Sequence, residues 1–176
     1  MRSRFLLVPV ASVAAVAPAF AGTYLTIEQA QALLFPGASL TEDFRTLSKE
    51  QARAVEKASG VNVLNRTLKA WRVSTGGWFI VDEVLGKHEF IPFALALDKE
   101  GAVKGIEILE YYEAYGDQIR IPAWRAQFVG KRQGARLKLD DDIKNISGAT
   151  LSCRHITDGV KRLLATHALL LAPASS

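Results

Sequence analysis

Three β-rich runs follow one another with almost nothing between them: WFIVDEVL (78–85), EFIPFALALD (89–98) and AVKGIEILEYY (102–112). The gaps, marked by Gly86-Lys87 and by Lys99-Glu100-Gly101, are of hairpin length, so the runs form an antiparallel meander onto which everything else must pack. In the third run Val103, Ile106, Ile108 and Tyr112 are apolar, with Lys104, Glu107 and Glu110 between them. That pattern is a half-buried strand with a slip near Gly105, as a β-bulge produces. Pro92 lacks an N–H, which places the second run at a sheet edge or starts its strand after Pro92. TLKAWRVS (67–74) is strand-like and leads into a turn at Gly76-Gly77. RLKLDDDI (136–143) alternates and is expected as a further strand beside the others.

Helical signals flank the meander. Thr26 with Gln29 reads as a capping box opening IEQAQALL, and Phe35-Pro36-Gly37 ends that helix. Ser48, again with Gln three residues on, opens a second helix through QARAVEKAS that stops at Gly60. Tyr115 to Pro122 is a loop turning at Gly116, and AWRAQFVGK (123–131) is a short helix ended by Gly130. The last helix begins near Leu151. It places Ile156, Val160, Leu163, Leu164 and His167 or Ala168 on one face, with Asp158, Lys161 and Arg162 off it, and ends before Pro173. The fold class is α+β: a curved antiparallel sheet with two N-terminal helices and a C-terminal helix packed on it, in one domain over 22–176.

Residues 1–21 are set apart from that domain. Arg2 and Arg4 precede an apolar run of about a dozen residues, Phe5 to Val16, too short to span a bilayer, and Ala19-Phe20-Ala21 is a small-x-small cleavage site. The expectation is a secretory signal peptide cut near Ala21-Gly22 and an exported, periplasmic protein; a retained membrane anchor is the alternative. The arginines are not adjacent, which favours the general secretory route over the twin-arginine one. Formal charge is +4, and without Arg2 and Arg4 the excess falls to two, too weak to argue for nucleic acid. Cys153 is the lone cysteine, so an intrachain disulfide is impossible, and three scattered histidines offer no metal-ligand spacing.

Ser147-Gly148-Ala149-Thr150 stands at the mouth of the last helix. Helix N-termini present unpaired N–H groups and a partial positive charge, which makes them phosphate sites. Gly148 and Ala149 add no bulk there, and Thr150 and Ser152 offer hydroxyls. Spacing alone leaves two readings open, an anion site and an ordinary capped helix.

The run ISGATLS followed by an amphipathic helix resembles the flavinylation motif of the FMN-binding domain family. That family includes the flavin subunits of the Rnf and sodium-translocating NADH:quinone reductase complexes and the periplasmic domain of the regulator NosR. The resemblance extends from about Phe90 to Leu164, through KEGAVKGIEILEYYEAYGDQI and AWRAQFVGK. It implies that a flavin transferase, using FAD, esterifies Thr150 to the phosphate of FMN, that Ser147, Gly148, Ala149, Leu151 and Ser152 line the phosphate site, and that Glu113 contacts the flavin or its ribityl chain. Two departures stand out. Lys144 occupies the position where the family commonly has Asp, with Asp141 and Asp142 the nearest acids. The loop reads Y-E-A-Y-G in place of the usual Glu-Ser/Thr-Pro-Gly.

Neither a nucleophile–base pair nor a metal site is recognisable, so no catalytic residue is assigned. The resemblance implies an electron-transfer flavoprotein, passing electrons between membrane or periplasmic redox partners, more an electron carrier than a substrate-specific enzyme. A flavin-dependent reductase of a small molecule and a sensory module binding FMN non-covalently are the alternatives. Tyr115 or Trp124 could stack on the flavin ring or belong to the core; Phe128 and Cys153 are assigned to the core, and Asp140-Asp141-Asp142 to a solvated loop.

Overall fold

The computed structural model describes residues 22–172; the expected signal peptide and the tail from Pro173 lie outside the described residues. In chain order the elements are β1 (Gly22–Thr23), α1 (Ile27–Leu34), β2 (Leu40–Glu42), β3 (Arg45–Thr46), α2 (Lys49–Ser59), β4 (Thr67–Val73), β5 (Trp78–Leu85), β6 (Phe90–Leu97), β7 (Val103–Ile108), β8 (Glu110–Tyr111), a 3₁₀ turn (Asp117–Arg120), α3 (Pro122–Arg125), a second 3₁₀ turn (Ala126–Phe128), α4 (Thr150–Thr166) and a π-helical turn (His167–Leu171). Both capping boxes form: the Thr26 and Ser48 hydroxyls accept from the N–H of Gln29 and Gln51, whose side chains reach back. No helix among the described residues is long and apolar enough to cross a membrane.

The sheet is antiparallel and open, in the order β2-β4-β5-β6-β7, with β3 also on β4. Its two faces are covered by different helices. Leu68, Ala70, Ile80, Val84, Phe93, Leu95 and Ile106 join α2 and α4 in the larger core, including Val55, Ile156, Val160 and Leu164. Trp71, Phe79, Ala94 and Ala96 face the other way and pack with Ala30 and Phe35 at α1. Two-sided cover is why FALAL in β6 is apolar without alternation. The expected bulge is present: Ala96 pairs with Gly105 but Leu97 with Val103, which leaves Lys104 as the extra residue.

Three expectations are corrected. Pro92 is not at an edge: β6 lies between β5 and β7, starts before Pro92, and pairs Pro92 with Glu83. On the other side the Pro92 carbonyl accepts from Leu109 N–H at 2.9 Å. The donor that proline lacks would have met the Leu109 carbonyl, which instead accepts from Tyr24 and Leu25 at 2.8 and 3.2 Å. Segment 136–143 is not a strand. The Asp142 carboxylate accepts from the N–H of Lys138 (2.8 Å) and Leu137 (3.2 Å) and from Lys131 Nζ (2.8 Å), which curls the chain through positive φ at Leu137 and Asp140. Its alternation is spent on burying Leu137 and Ile143.

Arg162, expected off the apolar face of the last helix, is buried at 7% exposure. Its guanidinium meets Asp82 at 2.6 Å and the carbonyls of Asn62 and Glu83 at 3.2 and 3.1 Å. Asp82 falls in phase with Trp78, Ile80 and Val84, so β5 carries a carboxylate on its core face and α4 answers it. Removing one partner strands a buried charge. Arg162→Ala is therefore expected to lower the unfolding free energy by about 3–5 kcal/mol in a urea titration; a loss below about 1 kcal/mol, as at exposed pairs, would contradict that role.

Candidate functional site

Helix α4 begins without a side-chain cap. Its N-cap is Ala149, and no side chain accepts from the first turn. The first intrahelical bond runs from Cys153 N–H to the Ala149 carbonyl at 2.9 Å. Among the described residues the N–H groups of Thr150, Leu151 and Ser152 thus have no partner, at the positive end of a seventeen-residue helix. The chain enters through Gly148, whose φ of +85° belongs to the left-handed region and whose Cα faces open space.

Thr150 is exposed, and its hydroxyl is not a cap. Its oxygen accepts from Asn145 Nδ2 at 3.0 Å, while Asn145 Oδ1 accepts from Ile146 N–H at 2.8 Å. One side chain therefore braces the turn and holds the hydroxyl. The backbone just ahead is held too: the Lys144 carbonyl accepts from Trp124 Nε1 at 2.8 Å, and Lys144 N–H donates to Gln127 Oε1 at 2.7 Å. The AWRAQF segment is fastened in turn by Arg125, which pairs with Glu107 on β7, and by Trp124 stacking edge-on against Phe128.

Beside Thr150 lies a cleft of about 560 Å³, inside the range of about 300–1,000 Å³ usual for cofactor sites. Three segments wall it: the helix mouth from Gly148 to Ser152, the loop Glu113-Ala114-Tyr115, and the β5–β6 hairpin tip Lys87-His88. Of the residues singled out in the sequence, Thr150, Gly148, Ala149, Leu151, Ser152 and Glu113 all line it; Ser147 is exposed just before it. Tyr115, 84% exposed, lines this cleft, whereas Trp124 is buried in the core.

Two buried groups lock the walls together. Tyr111 at the end of β8 donates its hydroxyl proton to the Tyr115 carbonyl and bonds Ser152 Oγ at 2.9 Å. Ser152 is thus turned toward Tyr111, at 5% exposure. Burial pushes the Tyr111 phenol up, against the pull of the Ser152 hydrogen bond. The Glu113 carboxylate takes the hairpin: Oε1 accepts from the N–H of His88 and of Glu89. Burial pushes the Glu113 carboxyl up, but the N–H groups of His88, Glu89 and Lys87 and the His88 charge outweigh it, so it lies below the ordinary glutamate range. Cys153, fully buried, has its thiol pushed up by burial and is inert packing.

What this arrangement can do is bind an anion at the helix mouth, beside an exposed hydroxyl and a cleft large enough for a flat cofactor. Asn145, Gln127, Tyr111 and the Lys87-His88 tip went unassigned in the sequence. Asn145 lay next to the motif, but only the fold reveals the bonds of the others. Among the described residues no cluster of His, Cys, Asp and Glu could hold a metal ion. Compared with protein families, residues 86–165 match the FMN-binding domain. A search of curated proteins finds no match.

Two outcomes follow from the wall geometry. A depressed folded-state carboxyl contributes stability that is complete above the unfolded glutamate value of about 4.3 and is lost as pH falls through the folded one. The stability gap between the wild type and Glu113→Gln, from urea titrations at stepped pH, should be constant from neutrality to about pH 5 and shrink below about pH 4; a gap independent of pH would contradict the clamp. At Gly116, φ is +101° and a Cβ would sit 2.5 Å from both the Tyr111 hydroxyl and Ser152 Oγ. Gly116→Ala should cost about 1–3 kcal/mol or more, and thermal unfolding would register it.

Proposed function

Residues 86–165 belong to the FMN-binding domain family, and from that premise we propose that this flavin-binding protein carries FMN as a phosphoester on Thr150 and works as an exported electron carrier. The observation that carries the reading is the Thr150 hydroxyl. It is exposed, excluded from capping, held by Asn145, and set beside free helix N–H groups at the edge of the cleft.

The residues present suit that group. The N–H groups of Thr150, Leu151 and Ser152 would receive phosphate oxygens, and the helix dipole would offset the charge a phosphodiester retains. Gly148 leaves the approach open. Tyr115, Leu151 and the Lys87-His88 tip would surround the ring, on walls that Tyr111 and Glu113 hold still. Bound FMN supplies the redox chemistry of its isoalloxazine ring; the chain supplies placement and electrostatics. Attachment through the phosphate leaves that ring free. It also prevents loss of the cofactor after export, which is the advantage of a covalent link in a compartment without a flavin supply. Maturation would need a flavin transferase, and electrons would pass between membrane or periplasmic redox proteins.

Intact mass after co-expression with a flavin transferase tests the linkage. The wild type should gain one FMN, Thr150→Val none, and Asn145→Ala a reduced fraction. A wild-type protein whose flavin is fully released on denaturation would overturn the phosphoester and leave the non-covalent reading. Rapid turnover with small oxidants combined with inertness toward redox proteins would favour the reductase reading instead.

A further inference from the structure

The loop that walls the cleft has no regular structure between the end of β8 at Tyr111 and the 3₁₀ turn Asp117–Arg120. Tyr111 and Glu113 fasten it to α4 and to the hairpin. A second set of contacts reaches the same loop from residues 22–25. Gly22 pairs with Tyr111 and Thr23 with Glu110, on the strand that leads into the loop. Tyr24 and Leu25 donate their N–H groups to the Leu109 carbonyl. Two side chains of this segment then meet the two ends of the loop. Thr23 Oγ1 shares a hydrogen bond with the Tyr112 hydroxyl at 3.2 Å, and the Arg120 guanidinium lies over the Tyr24 ring, 3.3 Å from its centroid.

These two contacts differ in weight. The Thr23–Tyr112 bond joins exposed groups and competes with water. Tyr24 is partly buried, packed on the larger core to which Tyr111 and Ile119 belong. The guanidinium sits well inside the distance of about 6 Å at which an aromatic face attracts a cation. Arg120 forms no ion pair among the described residues, whereas Arg125 is paired with Glu107 on β7. Arg125 Nε in turn donates to the Arg120 carbonyl at 3.1 Å. The far end of the loop is therefore tied, through Tyr24, to the strand from which its near end departs. Neither Tyr24 nor Arg120 lines the cleft, so any effect there passes through the loop.

We propose that Tyr24 is a positioning residue of the flavin cleft: with Arg120 stacked on its ring, it closes residues 112–120 onto β8 and so keeps Glu113 and Tyr115 beside the helix mouth. The proposal rests on the flavin reading for its purpose, while the holding of the loop stands on the contacts alone. A loop fixed at both ends has fewer conformations in which Tyr115 leaves the cleft, and a cofactor then meets a wall already in place.

Amide hydrogen exchange of the flavin-free protein reads the loop directly. The N–H groups of His88 and Glu89 bond the Glu113 carboxylate, and Ile119 N–H bonds the Gly116 carbonyl at 3.4 Å, so their exchange reports whether the loop is in place. Tyr24→Leu and Arg120→Gln should each speed those three amides about two- to fivefold, the factor that matches one cation–π contact near the surface. Ile80 and Leu95 in the central strands should exchange as before. The double variant should go no further than either single one, because both remove the same contact. Tyr24→Phe keeps the ring without its hydroxyl and should behave as the wild type. In the flavin-loaded protein, visible circular dichroism reads how the bound ring is held; it should weaken in Tyr24→Leu and Arg120→Gln and be retained in Tyr24→Phe. The exchange measurement needs no flavin, so it decides the role of Tyr24 in the loop even where the wild type takes up no FMN, a result that counts against the phosphoester. Exchange unchanged in the variants, exchange quickened equally across the sheet, or additive effects in the double variant would overturn the proposal. So would dichroism of the loaded protein indifferent to losing the stack.

Discussion

The hydroxyl of Tyr111 is the point at which sheet, loop and helix are joined. It donates to the Tyr115 carbonyl and shares a hydrogen bond with Ser152. Because Tyr111 is 1% exposed and Ser152 5%, the bond between them is made away from water, where an orphaned polar group costs about 1–3 kcal/mol. The loop 113–116 is thereby fixed against the first turn of α4. Glu113, within that loop, then fixes the β5–β6 hairpin through its backbone. The three walls of the cleft thus hold one another, and Thr150 emerges where they meet. This is preorganisation in a literal sense: the bonds that shape the cleft are complete without any ligand.

Much of the fold was legible because it obeys local rules. Each capping box announced its helix to the residue, and the hairpin gaps left the central strands little freedom. The failures share a cause, which is that a distant partner changed the meaning of a local pattern. Pro92 signals an edge only if its missing donor would have met a waiting acceptor, and the Leu109 carbonyl is already used by the N-terminal segment. RLKLDDDI alternates as a strand does, but Asp142 gathers the N–H groups a sheet would have needed. Arg162 and Asp82 each look polar and outward alone, and only their meeting across the α4–β5 contact makes a buried pair.

The site divides the same way. The helix mouth was readable from small residues and hydroxyls, and the resemblance of the motif picked out Thr150. What holds Thr150 was not readable. Trp124 and Gln127 grip the backbone at Lys144 from seventeen or more residues away, through side chains that in sequence look like ordinary core and surface. Lys144, the departure from the family's Asp, contributes its peptide group to that grip, so the position has a structural role whatever its side chain. Ser152 shows the reverse: a residue chosen for a hydroxyl at the phosphate end serves the wall from behind.

Helix α4 breaks a rule that this chain otherwise keeps. The shorter helices α1 and α2 begin with complete capping boxes. The longest helix has Asn145, Ser147, Thr150 and Ser152 within reach of its start and uses none of them as a cap. A missing cap costs about 1 kcal/mol, and the surrounding bonds show the omission is not for want of side chains. Asn145 is turned to Thr150, Ser152 to Tyr111, and the chain arrives in a conformation that favours glycine. The proposed function gives this break in local consistency a reason. N–H groups without a side-chain cap at a dipole's positive end, beside a held hydroxyl and an open cleft, are the features on which the proposed anion site rests.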